Sequence, residues 1–272
     1  MSVTGKLNEG MVALDEQQIV SIEQSDRLVV LARSLNTRST QAREALEQAA
    51  SEWAGFGKTC LGRALYRHHS IFKSQSDAPI WSHVEFVYFR DIVPSEAVDQ
   101  LVNAPQPTGV DLLRAEILLT TPASFVFPRD WSGSSDRAGR KPSVEYLDVD
   151  PSYLRDYREI MRRYIGPAAS KLVAMGKLGT FRTMETAAIL FQAPSLVAKW
   201  NQIPLSEVDA EGFQGFGQEL DAALREISPD GGFARVFAEL DRMRSIPRWT
   251  LNEAVVEADV TVGEWSIAAA AK

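Results

Sequence analysis

"RALYRHHSIFKSQSDAPIWSHVEFVYFR", residues 63–90, holds two apolar runs separated by the polar stretch "KSQSDAP". That pattern predicts an antiparallel hairpin. All three histidines of the chain, His68, His69 and His83, lie inside it. Opposed residues of a hairpin have a constant sum of numbers. Centring the turn near Ser76 sets His69 opposite His83 and Arg67 opposite Glu85. Alternation along the second strand puts Val84, Phe86 and Tyr88 on one face, with His83, Glu85 and Val87 on the other. The apolar face suits packing under helices. The expectation is therefore that His83, Glu85, His69 and Arg67 point together into an interior cavity, with His68 turned the other way.

Working outward, "DRLVVLARS" (26–34) is a strand rich in Val and Leu. "NTRSTQAREALEQAASEW" follows with Ala42, Ala45, Leu46, Ala49 and Trp53 on one helical face, Asn36 or Ser39 as cap and Gly55 or Gly57 as stop. The hairpin comes next, then a short helix in "VPSEAVDQLV" and a strand in "VDLLRAEILLTT" (110–121). The order is β-α-β-β-α-β.

After "PRDWSGSSDRAGRKPS" (128–143), a Ser-, Gly- and Arg-rich linker, the plan restarts. "SVEYLDVD" is a strand, and Asp150-Pro151 opens a long helix with Leu154, Tyr157, Met161 and Tyr164 as its apolar stripe. Gly166-Pro167 should kink or interrupt that helix. "GTFRTMETAAILFQ" supplies a hairpin or one bent strand, "PSLVAKWNQI" a short helix, and "RWTLNEAVVEADV" the closing strand. The expected fold class is α+β: two tandem ferredoxin-like units whose antiparallel sheets pair into a barrel with helices outside. The boundaries are an N-terminal extension 1–25, a first unit 26–127, the linker, a second unit 144–260 with a helical insertion 206–245, and a tail 261–272.

"YIGPAASKLVAMGKLGTFRTMETAAILFQAPSLVAKW" (164–200) has a helix ending in a Gly-rich stretch, a strand pair, and a short helix bearing a Trp. In this it resembles the dimeric α/β-barrel superfamily, in particular NIPSNAP-like, EthD and antibiotic-monooxygenase-like domains. The resemblance implies a barrel formed by two sheets, with a small-ligand cavity in its lumen.

Composition narrows the function classes. The 272 residues are 45% hydrophobic and 24% charged, with a net charge of −7. Such an acidic balance argues against a nucleic-acid partner. Cys60 is the only cysteine, so no internal disulfide and no Cys-rich metal site is expected. No stretch approaches the roughly 18 to 20 apolar residues of a membrane span, and the start lacks a signal-peptide run; a cytoplasmic, soluble protein is expected. No phosphate loop, dinucleotide fingerprint or Ser-His-Asp elbow is visible.

The expected catalytic residues are His69 or His83 as general base, Glu85 orienting it and Arg67 stabilising an anion. Trp81, Tyr146, Asp148, Arg182, Met184, Trp200 and Asn201 are the expected substrate-binding set. Arg155, Arg158 and Arg162 form a solvated basic stripe. The activity expected is that of a lyase, an isomerase or a cofactor-independent oxygenase acting on a small apolar or aromatic metabolite. Alternatives are a divalent metal or haem held by His69, His83 and Glu85, or a non-catalytic binding protein. A homodimer through sheet edges or helices is a further expectation.

Overall fold

The computed structural model describes residues 19–21, 27–52, 55–56, 59–75, 81–128, 131, 139–209 and 216–258. Trp53, Gly57, the hairpin turn at 76–80, most of the linker and the C-terminal tail lie outside them. A short strand β1 (Ile19–Ser21) precedes the first unit. That unit runs β2 (Val29–Thr37), α1 (Thr40–Ser51), β3 (Cys60–Ser74), β4 (His83–Phe89), α2 (Ser95–Val98, extended by a π-turn at Asp99–Asn103) and β5 (Val110–Pro128). The second runs β6 (Lys141–Val149), α3 (Leu154–Ile160), a π-turn Met161–Ile165, α4 (Gly166–Ala174), β7 (Phe181–Gln192), β8 (Gln202–Val208), α5 (Phe216–Ile227), α6 (Gly232–Met243) and β9 (Arg244–Ala258).

Every strand pairing is antiparallel. Within each unit the sheet order is fourth, first, third, second strand: β5-β2-β4-β3 and β9-β6-β8-β7. The second strand of each unit then pairs with the fourth of the other, β3 with β9 and β5 with β7. Eight strands close on themselves, leaving β1 attached to the far end of β5. Closure removes the open edges that each half-sheet would otherwise expose. The expected α+β architecture of two paired ferredoxin-like sheets is the observed one.

Local sequence accounts for much of this. Ser39 caps α1 by accepting from the Ala42 backbone N–H, and Ala42, Leu46 and Ala50 form the buried stripe. Ala45 and Ala49 are exposed, so the buried face is narrower than the expected one. Along the long helix Tyr157 and Met161 are buried while Arg155, Arg158 and Arg162 face water. As expected, the long α-helix is interrupted, by the π-turn Met161–Ile165 that runs directly into Gly166-Pro167 and α4. A Cβ on Gly166 would stand 2.0 Å from the Ala123 carbonyl oxygen, so glycine lets α4 press on β5 where the strand bends. Ala123 takes φ +59 at that bend, a conformation non-glycine residues seldom adopt.

Three expectations need correction. "PSLVAKWNQI" forms no helix; residues 193–201 are irregular, and β8 begins at Gln202 to fill the third-strand place. Leu196 and Trp200, spaced i and i+4, read as a helical face but are loop residues that plunge into the core. The helical pair α5–α6 occupies the place of the second unit's second helix, between its third and fourth strands. Lastly, the faces of β4 are reversed. Val84, Phe86 and Tyr88 belong to the barrel-interior cluster with Tyr66, Trp81, Tyr146 and Trp200, whereas Val87 and Phe89 pack under α2. All seven residues of β4 are buried, so apolar character cannot say which face is the lumen.

Candidate functional site

The β3–β4 register places Arg67 opposite His83 and Leu65 opposite Glu85, two residues from the expected pairing. A two-residue slip keeps each side chain on its face. His83, Glu85 and Arg67 do share a face, but it is the outer one. Glu85 lies between Arg33 and Arg63, accepting from both. Burial works against its charge, yet the two guanidinium groups outweigh burial and hold the carboxyl below the usual range. The same arginines reach outward to the Leu101 and Ala50 carbonyls, tying the helices to the sheet.

Further along, Arg67 pairs with Glu47 at 2.8 Å and Glu253 at 2.6 Å. His69 Nδ1 lies 3.1 Å from Glu253, and His83 Nε2 lies 3.4 Å from Glu47. Burial pushes the His83 pKa down, partly offset by Glu47. The structure thus gathers Arg67, His69 and His83 around Glu47 and Glu253, and leaves Glu85 apart with its own arginines. Among the described residues no group of three or more His, Cys, Asp or Glu side chains could hold a metal ion.

Trp81, Tyr146, Arg182, Met184 and Trp200 do meet in the lumen. Trp81 donates to the Tyr146 hydroxyl at 3.1 Å, and its ring stands 4.9 Å from that of Tyr146 and 5.2 Å from that of Trp200. Arg248 covers Trp81 at 4.3 Å. Arg182 pairs with Glu207 at 2.9 Å, donates to the Tyr88 hydroxyl and lies over Phe127. Arg114 pairs with Glu116, which also accepts from Trp200 Nε1 at 2.7 Å. Burial raises the Tyr146 pKa further above its ordinary value. His68, the third histidine, packs edge-on against Trp81; burial, with Arg248 nearby, lowers its pKa to about 3. The lumen is lined with rings in edge-on and tilted contact, with two arginine–glutamate pairs and with Arg248. Asn201 instead bridges to both the N–H and the carbonyl of Val149, and half-buried Asp148 faces a shallow outer pocket beside Asp150 and Arg242.

A cavity of about 460 Å³ lies elsewhere, on the outer face of the second unit between its sheet and α4, α5 and α6. Met161, Leu172, Phe181, Phe216, Leu240 and Ile246 supply much of its wall. Glu145 of β6, Arg244 and Trp249 of β9, Lys73 at the end of β3 and Asp241 of α6 bring polar groups to it. Volume and lining suit a small organic ligand. Phe233 and Phe237 stack at 4.1 Å on α6, and the Arg244 guanidinium lies 5.7 Å from the Phe237 ring. Burial pushes the Glu145 carboxyl above the ordinary carboxylate range, although Arg244 and Lys73 pull the other way. Behind Arg244, burial pushes Tyr157 up to about 12.

Neither Glu145 nor Arg244 was among the expected site residues. The available signal was the alternation of β6: Val144 and Tyr146 face the lumen, so Glu145 is a carboxylate set on the face that the helices cover.

No carboxylate-and-histidine haem site fits this cavity. Haem iron is held by His, Cys, Met or Tyr. The three histidines and Cys60 sit in the first unit, on β3 and β4, and none of them lines the cavity. Among the described residues that line the cavity, Met161 alone is of these ligand types.

Closed barrel, duplicated sheet order and outward helices place the chain in the class of tandem ferredoxin-like α/β barrels. No family model and no curated protein matches it. Among solved structures it is similar to an anthrone oxidase-like protein, with 11% identity over 88% of this chain and 95% of that one and a TM-score of 0.52. A proposed monooxygenase from Fusobacterium nucleatum has 9% identity over 86% and 94%, TM-score 0.48. A chlorite dismutase variant from Candidatus Nitrospira defluvii has 10% identity over 84% and 90%, TM-score 0.43. At such identities the likeness is one of fold. No helix among the described residues is long and apolar enough to cross a membrane.

Proposed function

We propose that this chain is an enzyme of oxygenase type that binds a small, largely apolar or aromatic metabolite in the outer cavity of its second unit. The observation that carries this reading is Glu145: a carboxyl disfavoured as an anion, facing an apolar cavity beside Arg244. A carboxylate with a raised pKa is a better general base near neutral pH than an ordinary one. Glu145 would take a proton from an acidic C–H or O–H, and Arg244 would stabilise the oxyanion left on the substrate. That electron-rich anion is the species that dioxygen can oxidise; conversion of a CH2 group and O2 to a carbonyl and water balances the reaction. The name of the neighbour at TM-score 0.52, anthrone oxidase-like, agrees with this chemistry. It favours an antibiotic-monooxygenase-like affinity over a NIPSNAP or EthD one, and oxygenation over lyase or isomerase chemistry.

Oxygen uptake with enolisable aromatic ketones, anthrone first, tests the proposal. Glu145→Gln should lower turnover by about 10²–10⁴-fold, the usual contribution of a general base. Turnover unchanged in a folded Glu145→Gln protein would overturn it. A cytoplasmic location belongs to the same reading, supported by the lone thiol of Cys60. Exposed Ile189, Leu190 and Phe191 at the end of β7 support a homodimer, which sedimentation would detect.

A further inference from the structure

We propose, resting on the cavity reading above, that the ligand of this site is an acid: an apolar molecule carrying one carboxylate-like oxyanion, received by Arg244 and Lys73. Of the fully buried arginines among the described residues, four stand against carboxylates and Arg248 lies over the Trp81 ring. Arg33 and Arg63 share Glu85, Arg114 has Glu116, and Arg182 has Glu207. Arg244 differs. It forms no ion pair among the described residues, and its buried Nε has no hydrogen-bond partner there. Its guanidinium lies toward the Phe237 ring and the Tyr157 hydroxyl, in a largely apolar wall, with Asp148 and Asp150 across the shallow outer pocket that it also lines.

Lys73 reaches the same cavity from the exposed end of β3, also without an ion pair among the described residues. Both cations act on Glu145, and neither lies within ion-pairing distance of it. Burial disfavours the Glu145 anion, so that carboxyl competes weakly for them. Asp241, on the exposed side of α6, is the cavity's other acid and repels a second negative group. The floor therefore carries spare positive charge. A partly buried cation without a counter-charge is costly, and an incoming oxyanion removes that cost while gaining charge-assisted hydrogen bonds. A neutral apolar ligand of the same shape leaves Arg244 as it is.

The test compares two fluorescent probes of equal size, 2-naphthoate and the neutral 2-naphthylmethanol, titrated into the full-length protein. The anion should bind at least about 10-fold more tightly, the two probes should compete, and added KCl should shrink the difference. Arg244→Met should abolish the preference while leaving binding of the alcohol intact. Should that variant fail to fold, Lys73→Met, at an exposed position, should reduce the preference several-fold. Equal affinities for the two probes overturn the acid proposal and leave the apolar cavity standing. A preference that persists in folded variants at both positions also overturns it. Failure of both probes to bind overturns the cavity reading as well.

Discussion

The barrel lumen and the outer cavity are built from the same kinds of residue: aromatic rings, arginines and glutamates. They differ in how the charges are matched. Inside the lumen Arg182 meets Glu207 and Arg114 meets Glu116, while Trp81, Tyr146 and Trp200 pack together under Arg248. In the outer cavity Glu145 and Arg244 face the same space without pairing. Matched buried charges read as structure; unmatched ones, beside open volume, read as a site.

The sharpest way to break that contrast is Arg182→Ala. Removing one partner of a buried pair leaves Glu207 charged in a dry interior, and a loss of about 3–5 kcal/mol is expected in denaturant unfolding. A loss below about 1 kcal/mol would mean that the lumen is wet and open, as a ligand chamber would be.

Next comes His68. Its folded pKa, about 3, lies below the ordinary value of 6.5. Between those values the unfolded chain takes a proton that the folded one refuses, so stability falls as pH drops through this window. The effect should amount to a few kcal/mol, measured by unfolding at stepped pH, and His68→Phe should flatten it.

Glu145 should behave in the opposite sense. Its folded pKa is raised, so its contribution is present at low pH and is lost as pH rises through the folded value. Glu145→Gln should therefore stabilise the protein at neutral pH, by about 0.5–2 kcal/mol, even as it removes turnover. A destabilised Glu145→Gln protein would show that Glu145 is a structural partner rather than a poised site group.

The smallest effect is expected on the outer surface of the first unit. Arg67→Ala breaks two ion pairs that water partly screens, and should cost about 0.2–1 kcal/mol.

Parts of the fold were legible because their signals are local. Ser39 as a cap, the Ala42–Leu46 stripe, Asp150-Pro151 at a helix start and the apolar runs of β2, β3, β4 and β5 each depend on neighbours within a few residues. Two β-α-β-β-α-β plans in succession then implied paired sheets. At 193–201 Leu196 and Trp200 bear the spacing of a helix, yet their burial is decided by the lumen into which the loop turns. Of the expected substrate-binding set, Trp81, Tyr146, Arg182, Met184 and Trp200 come together in the lumen, while Asp148 and Asn201 lie elsewhere.

The hairpin at 63–90 shows where sequence stops. Alternation alone determined that His83, Glu85 and Arg67 share one face and that His68 leaves it, because side-chain period in a strand is a backbone property. Which face looks inward was decided only by closure of the barrel, since helices and lumen both demand apolar residues and β4 satisfies both. The same holds for Glu145 and Arg244, 99 residues apart by their numbers, which meet only when β6 pairs with β9 and α6 folds over them.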